Sequence, residues 1–210
     1  QERGVPQLSY LVASHYDADH LSGLVGALHT VDVQTVLGPD YTADSKVYQS
    51  FLNAVDGQGL TVTAPVPGTR YPLGDGYFDV LAPLSASYED ENDYSIVLRF
   101  ACGDTSLLLT GDAQRESEKQ MMEVWPDLES DILCVGHHGS PSSSSGAFLD
   151  RVAPSLAVIS CGEDNPYGHP SPEVLERLSV RGIRTLRTDE NGAVTILGDG
   201  HTFQVLTQRE

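Results

Sequence analysis

The chain has 210 residues, 40% of them hydrophobic, which is enough length for one domain with a sizeable core. Its 12 basic residues face 30 acidic ones, a net charge of −18, so it lacks the basic footprint of a protein that grips nucleic acid through its phosphates. No apolar run approaches the ~18 residues that cross a bilayer and no signal peptide opens the chain, so direct membrane insertion by this chain is not expected.

The first stretch, "LSYLVAS" (8–14), reads as a buried strand. "HLSGLVGALH" (20–29) has helical spacing at Leu21, Leu24, Val25 and Leu28, with Asp19 placed as its N-cap. "VQTVLG" is a strand, and "DSKVYQSFLNAVDGQG" an amphipathic helix closed by Gly57. Then the character changes. "TVTAP", "YFDVLAP", "YSIVLRFA" and "TSLLLTG" are strands, with "CGDT" a tight hairpin between the last two. "AQRESEKQMMEVW" is a helix stopped by Pro126, "DILCVG" a strand, "GAFLDRVAP" a short helix and "SLAVISCG" a strand. Pro172 opens the helix "PEVLERLSVRG". "IRTLR", "AVTILG" and "HTFQVL" are strands, the last two joined at Asp199-Gly200. The alternation predicts a mixed α/β protein with two strand groups in a single domain, 1–210, free of repeats and linkers. Cys102, Cys134 and Cys161 form no CxxC pair or disulfide framework, and the apolar settings of Cys134 and Cys161 predict buried thiols.

Five of the seven histidines fall in three clusters, each after an apolar strand: His15 with His20, His137 with His138, and His169. Strand ends are where α/β folds gather functional groups. His29 and His201 are read as surface residues. In "SHYDADH" alternate residues leaving a strand point the same way, so His15, Asp17 and Asp19 converge, with His20 opening the helix behind them. In "SLLLTGDAQ" Asp112 follows the end of an apolar strand and precedes a helix, which makes it either an N-cap or a site carboxylate. His137 and His138 occupy the same kind of position in "DILCVGHHGSPSSSS". Ser140 and the serines after it either cap a helix or bind an anion through hydroxyls and backbone N–H groups. His169 precedes a helix N-terminus and is either a turn residue or a site residue. Taken together, the clusters form a binuclear hydrolase pattern.

That set of residues resembles the metallo-β-lactamase superfamily, whose hallmark is HxHxDH followed by distant His, Asp and His ligands. More narrowly, "SHYDADHLSG", "NDYSIVLRF", "LLLTGDA", "DILCVGHHGSPSSSS" and "YGHPSPEVLERL" resemble the C-terminal hydrolase domain of ComEC-type competence proteins, from about residue 8 onward. The resemblance implies a metallo-β-lactamase-like αββα sandwich and two divalent metal ions, Mn²⁺ or Zn²⁺. It implies that His15 and Asp17 hold one ion, Asp19 and His20 the other, that Asp112 bridges both, and that His138 completes a shell. His137 then contacts substrate phosphate, and His169 stabilises the transition state or protonates the leaving group, with Asp19, His137 and His169 as the catalytic set. Two departures stand out. The family's opening "DVGQGD"-like strands have no counterpart, so the sandwich is expected to lack its N-terminal strands. The stretch "YEDENDY" holds no His where the superfamily commonly places one.

Asp17 in place of a second His makes one site oxygen-rich, which favours Mn²⁺ over Zn²⁺ and a substrate that brings its own anionic oxygens. The function expected is a metal-dependent phosphodiesterase or nuclease acting on DNA in connection with competence DNA uptake, through a metal-bridging hydroxide. DNA is then a transiently bound substrate, delivered by a membrane channel portion of the same full-length protein. The domain would be attached to the bacterial cell membrane and face its extracytoplasmic side. Two alternatives differ in class: a small-molecule ester, lactone or phosphocholine hydrolase of the same fold, and a metal-binding module with weakened catalysis.

Overall fold

The computed structural model describes residues 6–209. Strand β1 (Gln7–Val12), helix α1 (Ala18–Leu28), β2 (Asp32–Leu37), α2 (Lys46–Gly57) and β3 (Val62–Thr63) form two successive βαβ units. Their three strands pair in parallel in the order β1-β2-β3, as strands joined through crossover helices do. Leu21, Leu28, Phe51 and Val55 bury the apolar stripes of the two helices against Leu11, Val33 and Val36 of this sheet.

The second sheet has seven strands. β4 (Arg70–Leu73), β5 (Gly76–Ala82), β6 (Val97–Cys102) and β7 (Thr105–Leu109) form an antiparallel meander. β8 (Ile132–Cys134), β9 (Leu156–Ile159) and β10 (Arg184–Arg187) continue it in parallel with β7, giving the order β10-β9-β8-β7-β6-β5-β4. Each parallel step is made by a helix: α3 (Arg115–Val124), α4 (Gly146–Val152) and α5 (Pro172–Ser179). Met121, Phe148, Leu149, Val174 and Leu178 pack these helices onto Leu108, Leu133 and Ile159 of the outer face.

Between the sheets, Tyr10, Val12 and Leu37 meet Phe78, Val80, Ile96 and Leu98. The layers therefore run helix, sheet, sheet, helix, the αββα sandwich expected from the sequence. The first sheet covers the β4–β7 end of the larger one. The other end, at Ile132, Leu156 and Leu186, is covered by Val194, Ile196, Phe203 and Val205 of a C-terminal hairpin, β11 (Val194–Gly198) and β12 (Phe203–Thr207).

Some local expectations need correcting. Helix α1 begins at Ala18 with Asp17, not Asp19, as N-cap residue, and the Asp17 side chain makes no capping bond. Helix α2 runs through Gly57, and Gly59 takes the left-handed conformation beyond it (φ 70°). All three cysteines are half-buried: Cys134 ends β8, and Cys161, two residues beyond the end of β9, donates its thiol to Asp189 at 3.1 Å. Strand β4 and the short helix α6 (Thr188–Asn191) form where the sequence pattern predicts neither strand nor helix.

Candidate metal centre

The C-terminal ends of β1, β7, β8 and β9 open onto one edge of the sandwich, and the histidine clusters leave from those ends. In the first loop, His15 and Tyr16 diverge. Tyr16 turns into the helix-side core, donates its hydroxyl to Pro39 O at 2.8 Å, and packs on Tyr41 and Tyr48. That anchor leaves His15 and Asp17 on the site side of the loop. Ile96 N–H donates to Ser14 O at 2.8 Å and ties this loop to the start of β6 in the other sheet.

Asp112 sits at the centre. It follows Gly111, whose left-handed backbone (φ 53°) and close approach to Ser14 and Ser95 leave no room for a Cβ. The carboxylate is buried, and four imidazole Nε2 atoms surround it: His20 at 3.3 Å, His138 at 3.6 Å, and His15 and His137 each at 3.8 Å. It is not a cap. That task falls to Asp93, which accepts from Gln114 N–H at 2.8 Å and Ser117 N–H at 3.2 Å at the start of α3. The acid-rich stretch without a His thus supplies a structural carboxylate.

The His pair is held in an unfavourable backbone. His137 (φ 50°, ψ 44°) and His138 (φ 55°, ψ 21°) are both left-handed, a conformation that costs a side-chain-bearing residue on the order of 1–3 kcal/mol. The surroundings enforce it. His137 N–H donates to Gly111 O at 3.1 Å, Ser140 N–H to His137 O at 2.8 Å, and Ser171 N–H to Gly139 O at 2.9 Å. The strained turn directs both rings toward Asp112.

Donor chemistry suits cations. Imidazole nitrogens and carboxylate oxygens gather in two overlapping groups, His15–His20–Asp112 and Asp19–His20–His138, with the donor atoms of each within 4.8 Å of one another. His15 Nε2 is buried, has no hydrogen-bond partner, and lies 3.8 Å from both Asp17 and Asp112 carboxylates. An orphaned buried lone pair between two carboxylates is costly unless a cation takes it. His138 Nδ1–H donates to the Ser160 carbonyl at 2.8 Å, which fixes the tautomer and turns the Nε2 lone pair toward Asp19, 3.3 Å away. Such a carbonyl-fixed imidazole is a common support for a metal ligand.

Charge follows geometry. Burial, and then the neighbouring His20, hold His15 below the usual histidine range, so the ring stays neutral at pH 7. Burial also acts against a charged His20, but its hydrogen bond with Asp112 and the charges of Asp112, Asp19 and Asp17 outweigh burial and raise it. For Asp112, burial favours the protonated acid, yet the hydrogen bond from His20 and the charges of His20, His15 and His138 pull its carboxyl below the ordinary range. Burial, followed by His137 and His138, lowers His169.

The remaining candidates lie around this core. Asp17 and Asp19 are exposed at its mouth. His169 stands at the far side, its ring 5.8 Å from that of His137. Ser140 is buried behind the His pair, its hydroxyl bonded to Ser142 at 2.9 Å; Ser142 in turn lies 3.3 Å from His137 Nδ1. His29 and His201 are exposed and remote, His201 pairing with Asp104.

Sequence reasoning missed the supports. Ser95 accepts from Asp112 N–H at 3.0 Å and lies 3.4 Å from His15 Nδ1. Glu118, in the predicted helix "AQRESEKQMMEVW", is buried and accepts from Ser144 N–H and Ser145 N–H. Arg177 donates to the carbonyls of Ser143 at 3.1 Å and Ser144 at 3.3 Å. Both charged groups hold the serine loop from beneath. Nothing in their own spacing marks them, because their partners are backbone groups.

Residues 1–163 match the family model described as the metallo-beta-lactamase superfamily. The chain belongs to that superfamily. Among curated members it is 34% identical over 192 residues to ComE operon protein 3 of Bacillus subtilis, and 35% identical over 201 residues to competence protein ComA of Neisseria gonorrhoeae. Those matches cover 91% and 94% of this chain but only 25% and 26% of the two relatives, so the chain spans about a quarter of their length. Among solved structures it resembles CmlA, a diiron beta-hydroxylase from Streptomyces venezuelae, with a TM-score of 0.61 at 14% identity, covering 97% of this chain and 45% of that one. At that identity the likeness is one of fold. The superfamily's metal-dependent hydrolases set the general kind of chemistry, and its fold implies divalent metal ions. No helix among the described residues is long and apolar enough to cross a membrane.

Proposed function

We propose that this chain is a metal-dependent phosphodiesterase that cleaves DNA in connection with competence DNA uptake, alongside a membrane channel portion on the extracytoplasmic side. The observation that carries the reading is the donor set around Asp112, a buried carboxylate ringed by His15, His20, His137 and His138. It occurs in a chain about one-third identical to competence proteins.

In this reading His15 and Asp17 would hold one divalent ion, Asp19, His20 and His138 the other, and Asp112 both. When bound, the ions would supply a nucleophile at neutral pH and neutralise charge on the phosphoryl oxygens. Asp17 and Asp19 add carboxylate donors, and an oxygen-rich shell favours Mn²⁺. Two exposed carboxylates at the mouth repel a polyanion until cations offset them, so cation loading and DNA binding are coupled.

The protein's own groups do the rest. His137, braced by Ser142, reaches a phosphoryl oxygen from the side of the strained turn. His169 is neutral at pH 7, so it acts as a hydrogen-bond donor to charge developing on the leaving oxygen. Removing one such donor typically costs about 10²–10³ in rate.

The test is cleavage of plasmid and single-stranded DNA by purified protein with Mn²⁺, with EDTA, and by Asp112→Asn. Mn²⁺-dependent cleavage lost in Asp112→Asn supports the reading. No cleavage by wild type, or equal cleavage by the variant, would sink it.

A further inference from the structure

Beside the proposed catalytic centre lies a cavity of about 390 Å³, lined by Asp19, His138, Ser160–Gly162, Asn165, Tyr167 and His169. The lining includes the metal-facing pair Asp19 and His138 together with Tyr167, a ring 77% exposed to solvent. An exposed tyrosine alone says little, since much of any protein surface is apolar. This one, however, sits on a built loop. Asn165 clamps the His169 backbone from both sides, its Nδ2–H donating to His169 O at 2.5 Å and its Oδ1 accepting from His169 N–H at 3.0 Å. The same amide nitrogen donates to Gly162 O at 3.0 Å. The Tyr167 ring lies nearly parallel to that of His169, at 16° with centroids 6.0 Å apart. Among the described residues His169 is the one aromatic ring against it, and most of the Tyr167 side chain faces solvent.

None of the lining residues is Lys or Arg, and the chain as a whole carries a charge of −18. Phosphate attraction, the usual source of affinity for nucleic acid, is therefore missing from this cavity. A flat aromatic face supplies the sequence-tolerant alternative, base stacking, and a base reaches it only when it is unpaired.

We propose that Tyr167 is the stacking platform for the unpaired nucleobase next to the scissile phosphate, making this a nucleotide subsite that selects single-stranded DNA. The inference rests on the phosphodiesterase reading above. With the phosphate at Asp19 and His138, the attached nucleoside extends along the cavity and its base lies on the Tyr167 ring. Tyr167 is a positioning residue, and its contribution appears in KM for substrates that carry a base.

The decisive experiment compares a single-stranded oligodeoxynucleotide with a fully abasic tetrahydrofuran oligomer of equal length, using Mn²⁺-loaded wild type, Tyr167→Ala and Tyr167→Phe. Stacking is worth about five- to a hundredfold per base by alanine substitution, so wild type should prefer the base-bearing oligomer by roughly tenfold, through KM. Tyr167→Phe keeps that ratio and Tyr167→Ala reduces it to within about twofold. An unchanged ratio in Tyr167→Ala, or no preference in wild type, overturns the proposal. If wild type cleaves neither oligomer, the phosphodiesterase reading fails by itself. Binding of a 2-aminopurine oligonucleotide then decides the subsite: fluorescence quenched by wild type but not by Tyr167→Ala supports stacking, and no quenching by either refutes it.

Discussion

Four imidazoles around Asp112 offset the cost of burying its charge, and the ring whose nitrogen is left orphaned, His15, is the one deepest in the protein. A second buried carboxylate behaves differently. Glu118 has no imidazole partner, and burial lifts its carboxyl to about 6 despite the amide donors of Ser144 and Ser145. The folded state therefore holds that proton more tightly than the unfolded chain does. The stability this gives is full below about pH 4.5 and is lost as pH rises through about 6. At ~1.4 kcal/mol per pKa unit the loss is about 2 kcal/mol. Urea unfolding of wild type and Glu118→Gln from pH 4 to 8 checks it. The stability difference should shift against wild type across that window; a pH-independent difference contradicts the assignment.

At the scale of elements, the site depends on a serine loop with little regular structure. Residues 140–145 hang between Glu118 on α3 and Arg177 on α5, and His137 rests on that loop through Ser142. Arg177→Ala leaves the Ser143 and Ser144 carbonyls without their charged donor. A loss of ~2–4 kcal/mol is expected, with amide exchange in 142–145 accelerating before the sheets open. Unchanged exchange there would show that the loop stands without its clamp. The same elements explain what the sequence made legible. The apolar runs in "TSLLLTG" and "DILCVG" end in glycine just before the site residues, so β7, β8 and the residues after them are readable from local pattern. The histidine clusters were readable because each follows such a strand. Glu118, Arg177 and Ser95 were not, since their partners are backbone groups or residues distant in the chain. The N-cap of α1 was misplaced because Asp17 and Asp19 are equivalent by pattern, and only the fold shows Asp17 near His15 instead of the helix amides. Strand β4 was missed because "RYPL" carries a proline and earns its place as an edge strand, where the missing N–H is tolerated.

For the whole molecule, the charge of −18 sets how it meets a polyanion. Proteins that neutralise six to ten phosphates lose about 10³–10⁵ in affinity between 50 and 200 mM salt. This chain has no basic track in the cavity beside its centre. If the proposed phosphodiesterase reading holds, KM for single-stranded DNA at fixed Mn²⁺ should change by less than about tenfold over that range; a thousandfold change would reveal a phosphate-binding surface outside the cavity. The sandwich itself places the centre, since its two sheets meet at Ser14 and Ile96 beside Asp112 and the loops of both converge there. The proposed phosphodiesterase reading requires that those loops hold a pair of cations through one shared carboxylate. Mn²⁺ titration followed by electron paramagnetic resonance and metal analysis tests that claim directly. Two equivalents with a spin-coupled signal in wild type, falling to one or fewer in Asp112→Ala, is the predicted result. A single uncoupled ion in wild type, or two retained without Asp112, would contradict it.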